Sequence, residues 1–161
     1  MFSWKLSFTD KESPAGDNLI SLFIEVEFEE KKMRDILNID GLFAAIKSEG
    51  YKPLFTCSCG VFSCGGYYVF VTHLAGGAIL KSAYRPVNEP GEQDLIEQFE
   101  YELSWEDFYF IASEVYERLC DLKSKYPKSE ICAGMFGPDL SNRLNEYGEL
   151  LKQLRSRYEE E

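Results

Sequence analysis

Three cysteines lie close together in a glycine-rich segment and form the clearest candidate site for chemistry. Cys57, Cys59 and Cys64 belong to the stretch CSCGVFSCGG, which occupies residues 57–66. Thiolates are soft ligands that suit zinc, and glycines allow a chain to fold closely around a small ion. We therefore treat these cysteines as candidate ligands of a structural zinc ion and expect no other cofactor.

A fourth ligand would be needed, because structural zinc sites usually have four. His73 is the single histidine, but if residues 66–73 form a straight strand its ring lies roughly 23 Å away, at about 3.3 Å per residue. Cys120 or Cys132 would complete the site only through the tertiary fold. The alternative is structural: free cysteine is among the most buried residue types, so the loop would enter the core without a metal.

A further alternative is a small thiol enzyme that uses Cys64 as its nucleophile and His73 as the base. This chemistry requires the two side chains to lie within hydrogen-bonding distance, and a straight strand would separate them. The sequence contains no phosphate-binding glycine loop, nucleophile elbow, HExxH motif or dinucleotide fingerprint. The sequence therefore favours a protein that is not an enzyme, although active sites also assemble from residues distant in sequence.

Carboxylates are distributed unevenly along the chain. The 161 residues include 28 acidic and 17 basic side chains, for a formal net charge of −11, and no Lys or Arg occurs between Pro86 and Glu117. Because alternate residues of a strand share a face, Glu25 with Glu27 and Glu100 with Glu102 are expected to form two acidic rows.

If the two rows lie on neighbouring strands, each opposed carboxylate pair costs roughly 0.2–1 kcal/mol, which a basic partner would relieve. A solvated acidic face is the simpler alternative. We predict Glu25, Glu27, Glu100 and Glu102 as the residues that bind a basic protein. Consecutive tyrosines at 67 and 68 must point to opposite faces of a strand, so one of them is a candidate interface anchor.

Alternating polar and apolar residues identify the elements that must position these side chains. Strands are predicted within residues 2–9, 22–29, 67–74, 78–85 and 95–103. Strands precede helices along most of the chain, and the connections between strands are short. The predicted fold class is therefore α+β: a mainly antiparallel sheet of about five strands packed against a long helix, with a C-terminal helix.

Capping chemistry predicts where the helices begin. Ser104 is expected to cap the long helix, and Asp107 occupies the third position of a box-like cap. Asp40 is expected to cap a short helix that stops at Gly50, and a final helix is expected from about Asp139. Length and the absence of a convincing boundary predict a single domain over residues 1–161.

Composition restricts the environment and the partners. The strong negative charge disfavours nucleic acid and anionic membrane surfaces, and no apolar run approaches the ~20 residues of a membrane span. The first ten residues lack the apolar stretch of a signal peptide, and an odd number of cysteines argues against a secreted disulfide scaffold. We expect a cytoplasmic protein, and the oligomeric state stays open.

The cysteine segment and its flanks resemble small uncharacterised bacterial proteins with a CxCGxxxCGG-type cysteine–glycine loop. The matching stretches are LFTCSCG from Leu54, CGGYYV from Cys64, IDGLF from Ile39 and SWEDF from Ser104. The resemblance implies a stand-alone bacterial α+β protein, and some small acidic proteins of this appearance resemble immunity partners of secreted toxins. The predicted function is a non-enzymatic, acidic protein-binding domain of immunity type. The alternatives are a zinc-stabilised interaction module and a thiol enzyme.

Overall fold

Two β-sheets and three helices make up the described part of the chain, which comprises residues 2–57, 66–83, 98–135 and 137–159 of a computed structural model. The strands are β1 Trp4–Glu12, β2 Leu19–Phe28, β3 Lys31–Lys32, β4 Ile36–Leu37, β5 Gly50–Thr56, β6 Tyr67–His73, β7 Gly77–Ser82, β8 Glu100–Ser104 and β9 Glu130–Ala133. The helices are α1 Ile39–Lys47, α2 Trp105–Lys125 and α3 Leu144–Glu159, and a 3-10 turn at Ser141–Arg143 precedes α3.

The larger sheet has five antiparallel strands in the order β4-β5-β6-β7-β8, and we call it the five-stranded sheet. Helix α2 packs against β7 and β8, and its Phe108 and Val115 belong to the same buried cluster as Val69, Leu80 and Leu103 of the sheet. The predicted α+β class, with an antiparallel sheet, a long helix and a C-terminal helix, is confirmed.

A second, four-stranded sheet was not foreseen as a separate layer. Strand β2 pairs antiparallel with β1 and β3, while β9 runs parallel to its first half, with Leu19 opposite Glu130. Strand β9 has four residues, of which the last three are buried, so it lacks the alternation that predicts a half-exposed strand. Residues of both sheets, including Ile24 and Val71, share one hydrophobic cluster.

The capping residue predicted from the sequence is the observed one at helix α2, but not at helix α1. The Ser104 hydroxyl accepts a hydrogen bond from Asp107 N–H at 3.0 Å and donates to the Asp107 carboxylate at 3.0 Å, as predicted for α2. The cap of α1 is Asn38, whose Oδ1 accepts from Gly41 N–H at 3.1 Å. The prediction that Asp40 caps this helix is wrong, because Asp40 lies inside the first turn and binds side chains of the C-terminal region.

Within the described ranges, no helix is both long enough and apolar enough to cross a membrane.

Candidate functional site

Four exposed side chains form a row across the outer face of the five-stranded sheet, the face turned away from α2. Tyr51 of β5 is opposite Phe70 of β6, Phe70 is opposite Lys81 of β7, and Lys81 is opposite Glu100 of β8. Residues directly opposite each other in antiparallel strands place their side chains on the same face. We call these four residues the outer row; it is aromatic at the β5 end and acidic at the β8 end.

Glu102 extends the acidic end of this face. It is opposite Ile79 of β7, and its side chain is exposed like that of Glu100, two residues earlier on the same strand. Among the residues that the structure describes, neither carboxylate forms a salt bridge. Two negative charges therefore lie close together at the edge of the sheet. Lys81 is opposite Glu100 on the neighbouring strand but forms no salt bridge with it in the described part of the chain.

Exposed aromatic rings lie at the other end of the row. Tyr51 is 53% exposed and Phe70 is 39% exposed, and their ring centroids lie 4.9 Å apart in an edge-on arrangement. The Tyr68 ring packs edge-on against Tyr51, with ring centroids 6.4 Å apart, and is half-buried, whereas Tyr67 is fully buried. The expectation that the consecutive tyrosines point to opposite faces is confirmed, and Tyr68 is the one on the outer face.

The sequence analysis missed Tyr51, because Lys52 and Pro53 suggest the exit from a helix rather than a strand. The structure accommodates Pro53 within β5 at a register shift between Lys52 and Phe55. A bulge of this kind tolerates proline, which cannot donate to a regular ladder. The signal in the sequence that could have identified this strand was the run Leu54, Phe55 and Thr56, which begins after Pro53.

Glu25 and Glu27 lie on β2 in the four-stranded sheet, so the two acidic rows are not neighbours in one sheet. Glu25 forms a salt bridge of 2.8 Å with Lys32, and this hydrogen bond raises the pKa of Lys32. Glu27 is opposite Lys5 on one side and Lys32 on the other. The structure therefore separates the two predicted rows. Two lysines flank Glu27, and one of them forms a salt bridge with Glu25, whereas in the described ranges Glu100 has only Lys81 opposite it and Glu102 is opposite Ile79.

The cysteine site falls mostly outside the described residues. Cys59 and Cys64 lie outside them, while Cys57, just after β5, is half-buried. Cys132 is buried on β9, and burial raises the pKa of its thiol. No group of three or more metal-binding side chains occurs in the described ranges. The zinc site and the Cys64 nucleophile therefore stay predictions.

His73 has structural partners at the end of β6. Its Nε2 lies 2.8 Å from the Ala45 carbonyl oxygen, and its backbone N–H donates to Glu49 Oε1 at 2.7 Å. Because a carbonyl oxygen only accepts, Nε2 carries the proton in this contact. The imidazole ring also packs edge-on against the Trp105 ring, with ring centroids 5.1 Å apart. His73 thus holds α1 against the five-stranded sheet and the start of α2.

The comparisons with known proteins add no functional assignment. No protein-family model matches the chain, and no curated protein or solved structure matches it. The resemblance to small bacterial proteins with a cysteine–glycine loop stays a prediction. The function must therefore be inferred from the chemistry of the surface described above.

Proposed function

We propose that this chain is a non-enzymatic protein-binding domain that docks a basic partner protein on the outer face of its five-stranded sheet. The observation that carries the proposal is the outer row together with Glu102, which joins an exposed aromatic pair to two carboxylates that form no salt bridge with any described residue. Aromatic side chains are enriched among the residues that dominate binding energy at protein interfaces, and complementary charge selects the partner.

The charge of the whole chain supports a basic partner. A net charge of −11 attracts cationic proteins over a distance of about 8–10 Å at physiological ionic strength. Among the residues that the structure describes, Glu100 and Glu102 have a single lysine beside them, Lys81 opposite Glu100. On the other sheet Lys32 forms a salt bridge with Glu25 and, with Lys5, flanks Glu27, so the negative charge there is more fully offset. An immunity-type role, in which the chain neutralises a basic toxin, is the specific form of this proposal that the resemblance suggests.

Charge reversal tests the proposal. The partner is first isolated by affinity capture on the wild-type chain at low salt, and its dissociation constant is then measured by calorimetry. The double variant Glu100→Lys, Glu102→Lys changes the net charge from −11 to −7, because each substitution adds two positive units. We expect it to weaken binding at least about tenfold and to reduce the salt dependence of the affinity.

The matched control is the double variant Glu25→Lys, Glu27→Lys, which makes the same change in net charge on the four-stranded sheet. It should leave the affinity within about threefold of wild type, since only non-specific attraction is lost. Equal weakening by both double variants, or by neither, would contradict the proposal. Circular dichroism and melting temperatures confirm that each variant is folded.

A further inference from the structure

Strand β8 is an edge strand, since within the described ranges its only hydrogen-bonded neighbour is β7. At the two ends of this ladder, Ser82 N–H donates to the Phe99 carbonyl at 3.0 Å and Trp105 N–H donates to the Gly76 carbonyl at 3.1 Å. Hydrogen-bonded pairs alternate along an antiparallel ladder. The odd-numbered residues of β8 are therefore the ones that bond to β7.

It follows that Glu100 and Glu102 direct their backbone N–H and C=O groups away from β7. No residue in the described part of the chain bonds to these groups from the other side. A row of unpaired backbone groups on a sheet edge is a template for an additional strand, and peptide-binding domains use such edges. The same two residues thus present backbone groups and carboxylates that no described residue bonds to.

A groove of about 550 Å³ runs beside this edge. It is lined by Phe2, Leu74, Gly76, Glu102, Leu103, Ser104 and Asp107. Leu74 is 37% exposed, and the Phe2 ring packs edge-on against Tyr101 with ring centroids 5.7 Å apart. The groove therefore offers the apolar side chains of Phe2 and Leu74 close to the edge, together with the carboxylates of Glu102 and Asp107.

We propose that an extended basic segment of the partner adds to β8 as an antiparallel strand, an inference that rests on the proposed function. Its lysines or arginines alternate with apolar residues: the cationic side chains lie opposite Glu100 and Glu102 on the outer face, and the apolar ones face the groove. A neutral or acidic strand added to β8 would not relieve the repulsion between the Glu100 and Glu102 carboxylates. Charge complementarity therefore favours a basic strand over a second copy of this acidic chain.

The probe is an acetylated and amidated peptide of four Lys-Val repeats, titrated into the isotope-labelled full chain up to about 1 mM. We expect saturable binding and slower hydrogen exchange at the amides of Glu100 and Glu102. A peptide methylated on its lysine backbone nitrogens should bind at least about tenfold more weakly, because a lysine opposite Glu102 forms the inter-strand hydrogen bonds. Methylation on the valine nitrogens should have little effect.

Two variants test the same edge from the protein side. Glu102→Pro and Glu102→Thr both remove the carboxylate, but only proline removes the backbone N–H, which faces away from β7 and is not needed for folding. Glu102→Pro should bind the peptide about tenfold more weakly than Glu102→Thr. The methylated peptides keep the test decisive if Glu102→Pro does not fold.

Several results would overturn strand addition: no saturable binding, equal binding of the two methylated peptides, or unchanged exchange at Glu102. Protection that rises with protein concentration in the absence of peptide would also overturn it, by assigning the edge to a second copy of the chain. The charge-reversal experiment reports on the outer face independently. A partner that depends on Glu100 and Glu102 without protecting their amides would leave the proposed function standing.

Discussion

Asp40 illustrates how one polar residue joins elements that are distant in sequence. Its carboxylate accepts hydrogen bonds from Arg143 and from the Tyr147 hydroxyl, the latter at 2.7 Å. Tyr147 is 1% exposed and stacks on Phe43 with ring centroids 3.9 Å apart. Burial, followed by the hydrogen bond to Asp40, raises the pKa of Tyr147. These contacts, which leave Asp40 and Arg143 partly exposed, connect α1 to α3.

Removing the Tyr147 hydroxyl should lower the free energy of unfolding by about 1–2 kcal/mol at neutral pH. The difference between wild type and Tyr147→Phe should shrink above about pH 10. There the unfolded chain loses the phenol proton that the folded chain retains, so wild-type stability falls by up to about 1.4 kcal/mol per pH unit. Urea denaturation at pH 7 and pH 11 measures both effects.

Tyr109→Phe is the control, because within the described residues the Tyr109 hydroxyl forms no hydrogen bond. It should match wild type at neutral pH. A Tyr147→Phe variant as stable as wild type at pH 7, or a stability difference that grows with pH, would contradict the account of this contact.

Among the elements, helix α1 shows that the cap depends on backbone geometry as well as residue type. Asn38 has extended backbone angles, with φ −85° and ψ 112°, while Asp40 is already helical. Both residues have side chains that cap well, so the sequence alone allows either. The backbone bond from Asn38 N–H to the Leu54 carbonyl, at 2.8 Å, holds Asn38 beside β5 and decides where the helix begins.

Asn38→Ala should lower the free energy of unfolding by about 1 kcal/mol, because the N–H of Gly41 loses its side-chain acceptor. Asn38→Asp keeps an acceptor at the same position and should stay within about 0.5 kcal/mol of wild type. Thermal denaturation of the two variants measures the difference. Equal stabilities would show that the cap contributes nothing to this helix.

A close contact between β7 and β8 positions the edge strand to which we propose that the partner binds. A side chain at Gly77, the first residue of β7, would place its Cβ 1.9 Å from the Leu103 carbonyl oxygen of β8. Only glycine allows the two backbones to approach this closely. The spacing of β7 and β8 at the groove therefore depends on a residue that carries no side chain.

For the molecule as a whole, the net charge of −11 should affect stability and binding in opposite directions. Raising NaCl from about 50 mM to about 500 mM screens the repulsion among the carboxylates and should raise the melting temperature by about 2–4 °C. The same change should weaken binding of the basic partner. Melting temperature and affinity measured in the same buffers test both statements.

Potassium chloride at matched ionic strength is the control for ion-specific effects. A melting temperature that falls with salt would mean that ion pairs, such as the one between Arg118 and Asp10, stabilise the chain more than its net charge destabilises it.

Local features of this protein follow from residues that are close together in the sequence. The α+β class, the strand from Tyr67 to His73 and the Ser104 cap depend on period and on residues close in sequence. The choice of neighbouring strands, including the parallel pairing of β9 with β2, depends on contacts between residues far apart in the sequence. Alternation shows that two glutamates share a face of a strand, but it does not show which strand lies beside them. The separation of Glu25 and Glu27 from Glu100 and Glu102 was therefore set by long-range pairing.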